Sequence, residues 1–419
     1  MDIMYNVGLI IMRSNVKAFC KWFLIAILLG FVVGYFSVLF HFSIEIATKL
    51  RTKFPYLLYL LPLAGVFIVA YYRAFGAADH KGTDFVLASI RENKPITTET
   101  SFLIFLSTVV THLFGGSSGR EGAALQLGGS LADFFGKRLN MDSKDMSIIT
   151  ICGMCTAFAT LFGTPLTAVI FSIEVVSVGI MHYSALFPCI VAAVTGCMFA
   201  SHLGVEKTFF PIEGIPAMTP DAFFRVGVLA IMGAVVSVFF CYTMHFVSKK
   251  YKDIFKNAYL RAAAGGFIVI ALTLIVGNRD YNGAGMDIIN LAFTGRVVWY
   301  AFLLKIIFTA FTLGAGFKGG EIVPAFFAGA TFGNVVGPLF GLSPSFGAGI
   351  GLISVFCGVT NCPLASMILS VEIFGSEGLI YFALSCAIGY LLSGYTGLYS
   401  EQKILYSKTK AEYINRKTH

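Results

Sequence analysis

From Trp22 to Phe40 the chain carries no charged side chain. As a helix rising about 1.5 Å per residue, such a run nearly covers the roughly 30 Å hydrocarbon core of a bilayer. Inside lipid every backbone N–H and C=O must be satisfied within the protein, so only helices or closed barrels span it. Further apolar stretches follow at Ala222–Tyr242 and Gly265–Val276, and shorter ones broken by Gly or Pro at Ala325–Leu339 and Leu364–Phe374. About thirteen such segments can be drawn, and none alternates polar with apolar residues long enough for a barrel. The pattern predicts an all-α polytopic membrane protein.

Composition removes the alternatives. The 419 residues are 57% hydrophobic and 12% charged, against roughly 25% charged in an ordinary soluble domain. Too few charges remain to wet a soluble surface, and the recurring apolar segments exclude secreted, fibrous and disordered chains. The net charge of +8 follows from basic residues at cytoplasmic ends rather than from a nucleic-acid partner. Arg13, Lys17 and Lys21 precede the first span and place the N-terminus in the cytoplasm. Lys249, Lys250, Lys252, Lys256 and Arg261 mark a second cytoplasmic segment, and Lys403, Lys408, Lys410, Arg416 and Lys417 a cytoplasmic C-terminus. The stretch from Ser201 to Asp221, with Glu206, Glu213 and Asp221 against Lys207, fits the outside. The first apolar run is too long for a cleaved signal, so a multi-pass protein of the cell membrane is expected. The nine cysteines lie in mostly apolar segments, Cys152-Gly-Met-Cys155 has no second pair, and the seven histidines form no HExxH. Neither metal nor cofactor is expected.

The chain is written twice. Pro165-Leu-Thr-Ala-Val-Ile-Phe-Ser-Ile-Glu174 returns as Pro363-Leu-Ala-Ser-Met-Ile-Leu-Ser-Val-Glu372 at an offset of 198. Gly119-Arg-Glu-Gly-Ala-Ala stands opposite Gly319-Gly-Glu-Ile-Val-Pro, and Gly82-Thr-Asp-Phe-Val-Leu opposite Gly283-Ala-Gly-Met-Asp-Ile. Tyr56-Leu57 and Tyr259-Leu260 are read as matching points of the long opening helices. The basic end Lys249–Lys256 makes the second opening helix enter from outside, whereas its counterpart near Trp22 enters from inside, so the halves are inverted. The organisation read is a cytoplasmic segment 1–16, a first repeat 17–218, a second repeat 219–405 and a basic cytoplasmic tail 406–419. Inverted repeats with short broken helices at matched places point to a transport pathway between them.

Two elements carry the chemistry. Gly115-Gly-Ser-Ser-Gly-Arg-Glu-Gly-Ala123 opens a helix in an apolar region. Its glycines free backbone N–H groups, the helix start adds partial positive charge, and Glu121 adds a carboxylate. A carboxylate there is either a plain cap or, being expensive at membrane depth, a functional group. If Glu121 occupies an anion site, it leaves when an anion arrives and carries a proton when neutral. Gly314-Ala-Gly-Phe-Lys-Gly-Gly-Glu-Ile-Val-Pro324 is the mirror element, with Glu321 beside its donors and Pro324 in a first helical turn. Lys318 either neutralises Glu321 or adds to the positive field. Short broken helices pointing at a central anion site complete the fold expectation. Arg120 is read as pinning its loop, and Glu174 and Glu372 as sharing a structural role at helix ends.

Gly119-Arg-Glu-Gly122 resembles the GREG motif of the CLC family of chloride channels and anion/proton antiporters. Gly320-Glu-Ile-Val-Pro324 is similar to that family's GxFxP element, and Gly397-Leu-Tyr-Ser400 to the segment bearing its anion-coordinating tyrosine. The resemblance covers residues 17 to 405 and implies anion contacts at Thr83, Gly122, Ile322, Val323 and Tyr399, supported by Gly119, Arg120, Gly319, Gly320 and Pro324. It also implies Glu121 and Glu321 as gating or proton-transfer groups, and a homodimer with one pathway per subunit. Thr83 replaces the family's loop serine, Ala123 its GREGP proline, and Ile322 its GxFxP phenylalanine. The exchangers' inner relay glutamate aligns with Val175, beside Glu174. Glu321 before Ile322 resembles the fluoride-exporting subclass, whereas the Thr83 hydroxyl suits a chloride site and Val323 departs from that subclass's threonine. The expected function is proton-coupled fluoride export and not an enzyme; chloride/proton exchange or a chloride channel is the alternative. Gly116-Ser-Ser-Gly119 with His112 also satisfies a short intramembrane serine-protease pattern, a weak match that leaves the repeat unexplained.

Overall fold

The computed structural model describes residues 2–77, 82–92, 96–97 and 99–418, with side chains described from residue 15 onward; the Arg13 side chain lies outside these. Among the described residues are sixteen α-helices, and they divide into two sets of eight. The first set is α1 (Asp2–Lys53), α2 (Leu61–Ala74), α3 (Thr83–Glu92), α4 (Glu99–Leu113), α5 (Glu121–Arg138), α6 (Ser143–Phe162), α7 (Pro165–Glu174) and α8 (Leu186–His202). The second is α9 (Pro220–Ile254), α10 (Ala258–Val276), α11 (Met286–Thr294), α12 (Ala301–Gly314), α13 (Ile322–Val336), α14 (Pro344–Thr360), α15 (Pro363–Phe374) and α16 (Leu379–Leu392). Among the described residues seven spans are long and apolar enough to cross a membrane; α7 and α15 are short and start on proline.

Local chemistry sets these limits. Asp142 accepts from the N–H groups of Lys144 and Asp145 to start α6, and left-handed Gly163 ends it. Thr219 caps α9 with Pro220 following, and Ser343 caps α14 with Pro344 following. Gly128 and Gly153 bring the α5 and α6 backbones into contact, and Gly333 and Gly347 do the same for α13 and α14. Tyr56-Leu57 lies in the 3-10 turn Pro55–Leu60 before α2, and Tyr259-Leu260 in the first turn of α10. That landmark therefore marks the second helix of each set, not the long first one.

The repeats meet as an inverted pair. Gly119 and Gly320 form an antiparallel bridge, with 2.7 Å hydrogen bonds in both directions, the local two-fold relation that inverted halves require. One feature departs from the all-α reading. β1 (Ser177–Val178) pairs in parallel with β2 (Lys403–Tyr406), which pairs antiparallel with β3 (Tyr413–Lys417). The region read as a basic tail thus carries a hairpin docked on the helical body.

Candidate functional site

The turn after α4 and the turn after α12 cross at the Gly119–Gly320 bridge, so α5 and α13 start side by side. First-turn N–H groups have no partner within their own helix, and here two such sets face one point. The carboxylate of Glu121 takes it. Its Oε2 accepts from Arg120 N at 3.0 Å and from Val323 N, across the repeat boundary, at 3.4 Å. Among the described residues its Oε1 has no hydrogen-bond partner, and the residue is fully buried. A Cβ on Gly119 would collide with Oε2, and one on Gly320 would lie 2.8 Å from the nitrogens of Glu121 and Gly122. The glycines are there because the carboxylate and the donors fill the space.

Cavities lie on both sides of this point. A larger one, about 1010 Å³, is lined by Glu121 and Val323 together with His41, Arg51, His112 and Arg120. A smaller one, about 160 Å³, is lined by Thr83, Asp84, Gly122, Gln126, Gly320, Glu321 and Tyr399. Glu121 and Gly122, adjacent in sequence, thus face different cavities.

The structure brings the sequence-derived residues together around this divider. Gly122, Ile322 and Val323 lie in the first turns of α5 and α13. Pro324 follows them in α13, and Gly319 lines the smaller cavity. Among the described residues the hydroxyl of buried Tyr399 has no partner, and Tyr399 lines the smaller cavity. Thr83 lines it too, but its single O–H donates to Gly122 O at 3.1 Å, while its oxygen accepts from Gln126 Nε2 at 3.3 Å. Arg120 holds its loop, bonding His41 Nδ1 at 2.9 Å and Leu161 O at 3.5 Å. Lys318 turns its ammonium over the Tyr72 ring, 4.4 Å from the centroid. Val175 is buried, and Glu174 beside it is spent on the N-terminus of α15.

Two residues escaped the sequence reading. Lys305 on α12 is fully buried and donates to Tyr281 O at 3.2 Å and Gly283 O at 2.6 Å, with its ammonium over Phe327. Gly283 O also accepts from Ser118 N, so this ammonium braces the turn before Glu121. A lone lysine in an otherwise apolar run was the available signal. Gln126, one turn after Gly122, bonds Gly122 O as well as Thr83; an amide in an apolar helix marked it.

Fold and site together define a helical membrane protein of the inverted-repeat class, with two helix N-termini converging on a buried carboxylate. The chain belongs to the voltage gated chloride channel family, whose sequence profile matches residues 64–394. A relative in Pseudomonas syringae pv. tomato, described as a chloride/fluoride channel protein, is 34% identical over 395 residues, 93% of this chain and 87% of its own. The crystal structure of a CLC-type fluoride/proton antiporter superposes with a TM-score of 0.89 at 29% identity, over 92% of this chain and 98% of that one. A slow cyanobacterial Cl−/H+ antiporter shares the fold at TM-score 0.74 and 16% identity, over 89% and 94% of the two chains.

Proposed function

We propose that this protein is an anion/proton antiporter of the cell membrane that exports fluoride in exchange for protons. The observation that carries the reading is the place of Glu121, whose carboxylate occupies the junction of two helix N-termini between two cavities. An anion arriving there competes for the same N–H groups and displaces the carboxylate toward the larger cavity. Once protonated, Glu121 no longer competes for the donors. One side chain is thus gate and proton carrier. Glu321, on the smaller cavity, is the second coupling carboxylate. Backbone N–H groups of Gly122, Ile322 and Val323 and the Tyr399 hydroxyl hold the anion.

Fluoride is small, strongly hydrated and a good hydrogen-bond acceptor, so close donors must offset its dehydration. The Thr83 hydroxyl donates to Gly122 O, so an anion competes with that carbonyl for the donor a chloride site would take from that loop. The fluoride named in the descriptions of two relatives adds support; chloride/proton exchange is the second reading, since the first of these descriptions names chloride as well. The basic ends support a cytoplasmic location for both termini; on that reading the smaller cavity, on the side of the C-terminal hairpin, faces inward and the larger one outward. An inward proton gradient then drives the anion out. The assembly is a homodimer with one pathway per subunit.

A transporter rather than a serine hydrolase also fits His112. Its Nε2 faces Gly119 O at 3.2 Å and Ser118 Oγ at 3.5 Å. A carbonyl only accepts, so Nε2 carries the proton and has no lone pair to activate the serine. A fluorophosphonate probe whose labelling disappears in Ser118→Ala would reverse this part of the reading.

The test is efflux from proteoliposomes, recorded with fluoride and chloride electrodes and a pH electrode beside each. Fluoride efflux well above chloride, with opposite proton movement, is expected. Equal rates for both anions sink the fluoride assignment, and anion flux without protons indicates a channel.

A further inference from the structure

We infer that the C-terminal hairpin is a positioning strap for Tyr399, setting where its hydroxyl meets the anion. The inference rests on the reading of Tyr399 as an anion contact.

Tyr399 sits on an irregular segment between α16 and β2, where no helix fixes its backbone. The fixing is done from outside. Thr418, just past β3, donates its hydroxyl to Tyr399 O and its N–H to Gln402 O at 3.1 Å. Lys408, in the turn between β2 and β3, spends all three ammonium protons on Asn361 Oδ1, Tyr390 O and Ser393 Oγ, with its charge over the Tyr390 ring. Tyr390 O belongs to the last turn of α16, where a cation complements the exposed carbonyl end.

Asn361 carries the contact onward. It ends α14 in the left-handed region at φ +58°, and its amide donates to Thr396 O at 3.0 Å and Gln402 Oε1 at 3.1 Å. Gln402 in turn bonds Val175 O at 3.0 Å and Thr360 O at 2.9 Å. Residues on both sides of Tyr399 are thus tied to the ends of α7 and α14 through a cluster that Lys408 closes. From the opposite side Asp84, next to Thr83, accepts from Ser400 Oγ at 2.6 Å and Glu401 N at 3.1 Å. Each of these ties falls on Tyr399's backbone or its neighbours, and among the described residues its hydroxyl is left without a partner over the smaller cavity. A side chain whose task is to meet an exchanging anion needs that arrangement, a fixed base and a free tip.

Lys408→Met removes the three bonds and keeps the stem; Thr418→Val removes only the bond to Tyr399 O. Each is measured as full-length protein in proteoliposomes, alone and combined with Tyr399→Phe, reading KM for fluoride, maximal rate and the fluoride-to-chloride ratio. Monodispersity in detergent selects folded variants, and if Lys408→Met fails it, Thr418→Val decides. The expected result is a rise of about fivefold in KM, the equivalent of one hydrogen bond of about 1 kcal/mol, with maximal rate little changed. The same variants add nothing in the Tyr399→Phe background, because that cycle isolates coupling between the two sites. If Tyr399→Phe alone leaves KM unchanged, the anion-contact reading fails and the strap falls with it. If Tyr399→Phe acts but the strap variants are silent, or add in full on top of it, only the strap is overturned.

Discussion

Glu174 and Glu372 cap each other's repeat. The Glu174 carboxylate, at the end of α7, accepts from Leu364 N at 3.2 Å and Ala365 N at 2.9 Å, which open α15. Glu372, in the last turns of α15, accepts from Leu166 N at 3.1 Å and Thr167 N at 2.8 Å, which open α7. The cap positions of these helices, Thr164 and Cys362, make no side-chain cap bond. The donors each helix leaves free are satisfied by the other half of the molecule.

Replacing either glutamate by alanine therefore removes a charge-assisted cap and loosens the joint between the halves. Each change is expected to destabilise the protein by about 1–2 kcal/mol, seen as a lower thermal midpoint in detergent. Fluoride transport per folded molecule should stay near wild type, since neither carboxylate lines the two cavities at Glu121. A loss of proton coupling in Glu174→Ala at normal stability would place that residue on the proton path instead.

The recurrence of Ser-Ile/Val-Glu after Pro-Leu announced a shared role at helix ends, and the repeated landmarks announced two related halves even where one of them, Tyr56-Leu57, was assigned to the wrong helix. Glu121 was legible for the same reason, because a carboxylate among glycines in an apolar region has few explanations. What stayed hidden depends on contacts distant in sequence. Thr83 carries a hydroxyl, but its partners, Gln126 and Gly122 O, lie some forty residues on. The tail read as a run of basic residues because Lys408 finds its three oxygens far off in sequence, just past α14 and in and just past α16. Short strands of two to five residues leave no periodic signal to count.

Glu121→Gln keeps the volume and hydrogen bonding of the gate but removes its titration. Proton flux coupled to fluoride should fall by roughly 10²-fold or more, the range a positioned acid–base group contributes. Simultaneous pH and fluoride traces from the same vesicles measure it. Undiminished coupling removes Glu121 from the mechanism.

Glu321→Gln tests the second carboxylate separately. It caps no helix through its side chain and lines the smaller cavity with Asp84 and Tyr399. Its neutralisation is expected to lower coupled turnover while leaving the thermal midpoint unchanged. A variant that exchanges fluoride for protons at the full wild-type rate would show that Glu121 alone suffices.

Lys305→Met withdraws the buried ammonium from Tyr281 O and Gly283 O. Gly283 O keeps its bond from Ser118 N, so one carbonyl is left bare, at about 1–3 kcal/mol. Thermal unfolding in detergent should register that loss. Because the same turn leads into α5, transport should fall more than stability alone explains. If turnover per folded molecule is unchanged, Lys305 serves only the packing of the loop.

Gly320→Ala adds one methyl where the two helix starts meet. The new Cβ would lie 2.8 Å from the nitrogens of Glu121 and Gly122 and 3.1 Å from Glu121 Oε2. None of these is the far end of a flexible chain except the carboxylate, so the backbones must part or Glu121 must leave. Overpacking of this kind costs about 1–3 kcal/mol, which a protein of this size survives. Transport is not expected to survive it. Separated helix starts no longer aim their N–H groups at one point, and a displaced Glu121 leaves the divider open. Folded but inactive protein is the expected outcome, read as a monodisperse detergent peak with fluoride efflux near that of empty vesicles. Efflux at the wild-type rate would mean that the bridge between Gly119 and Gly320 is not the divider of the pathway.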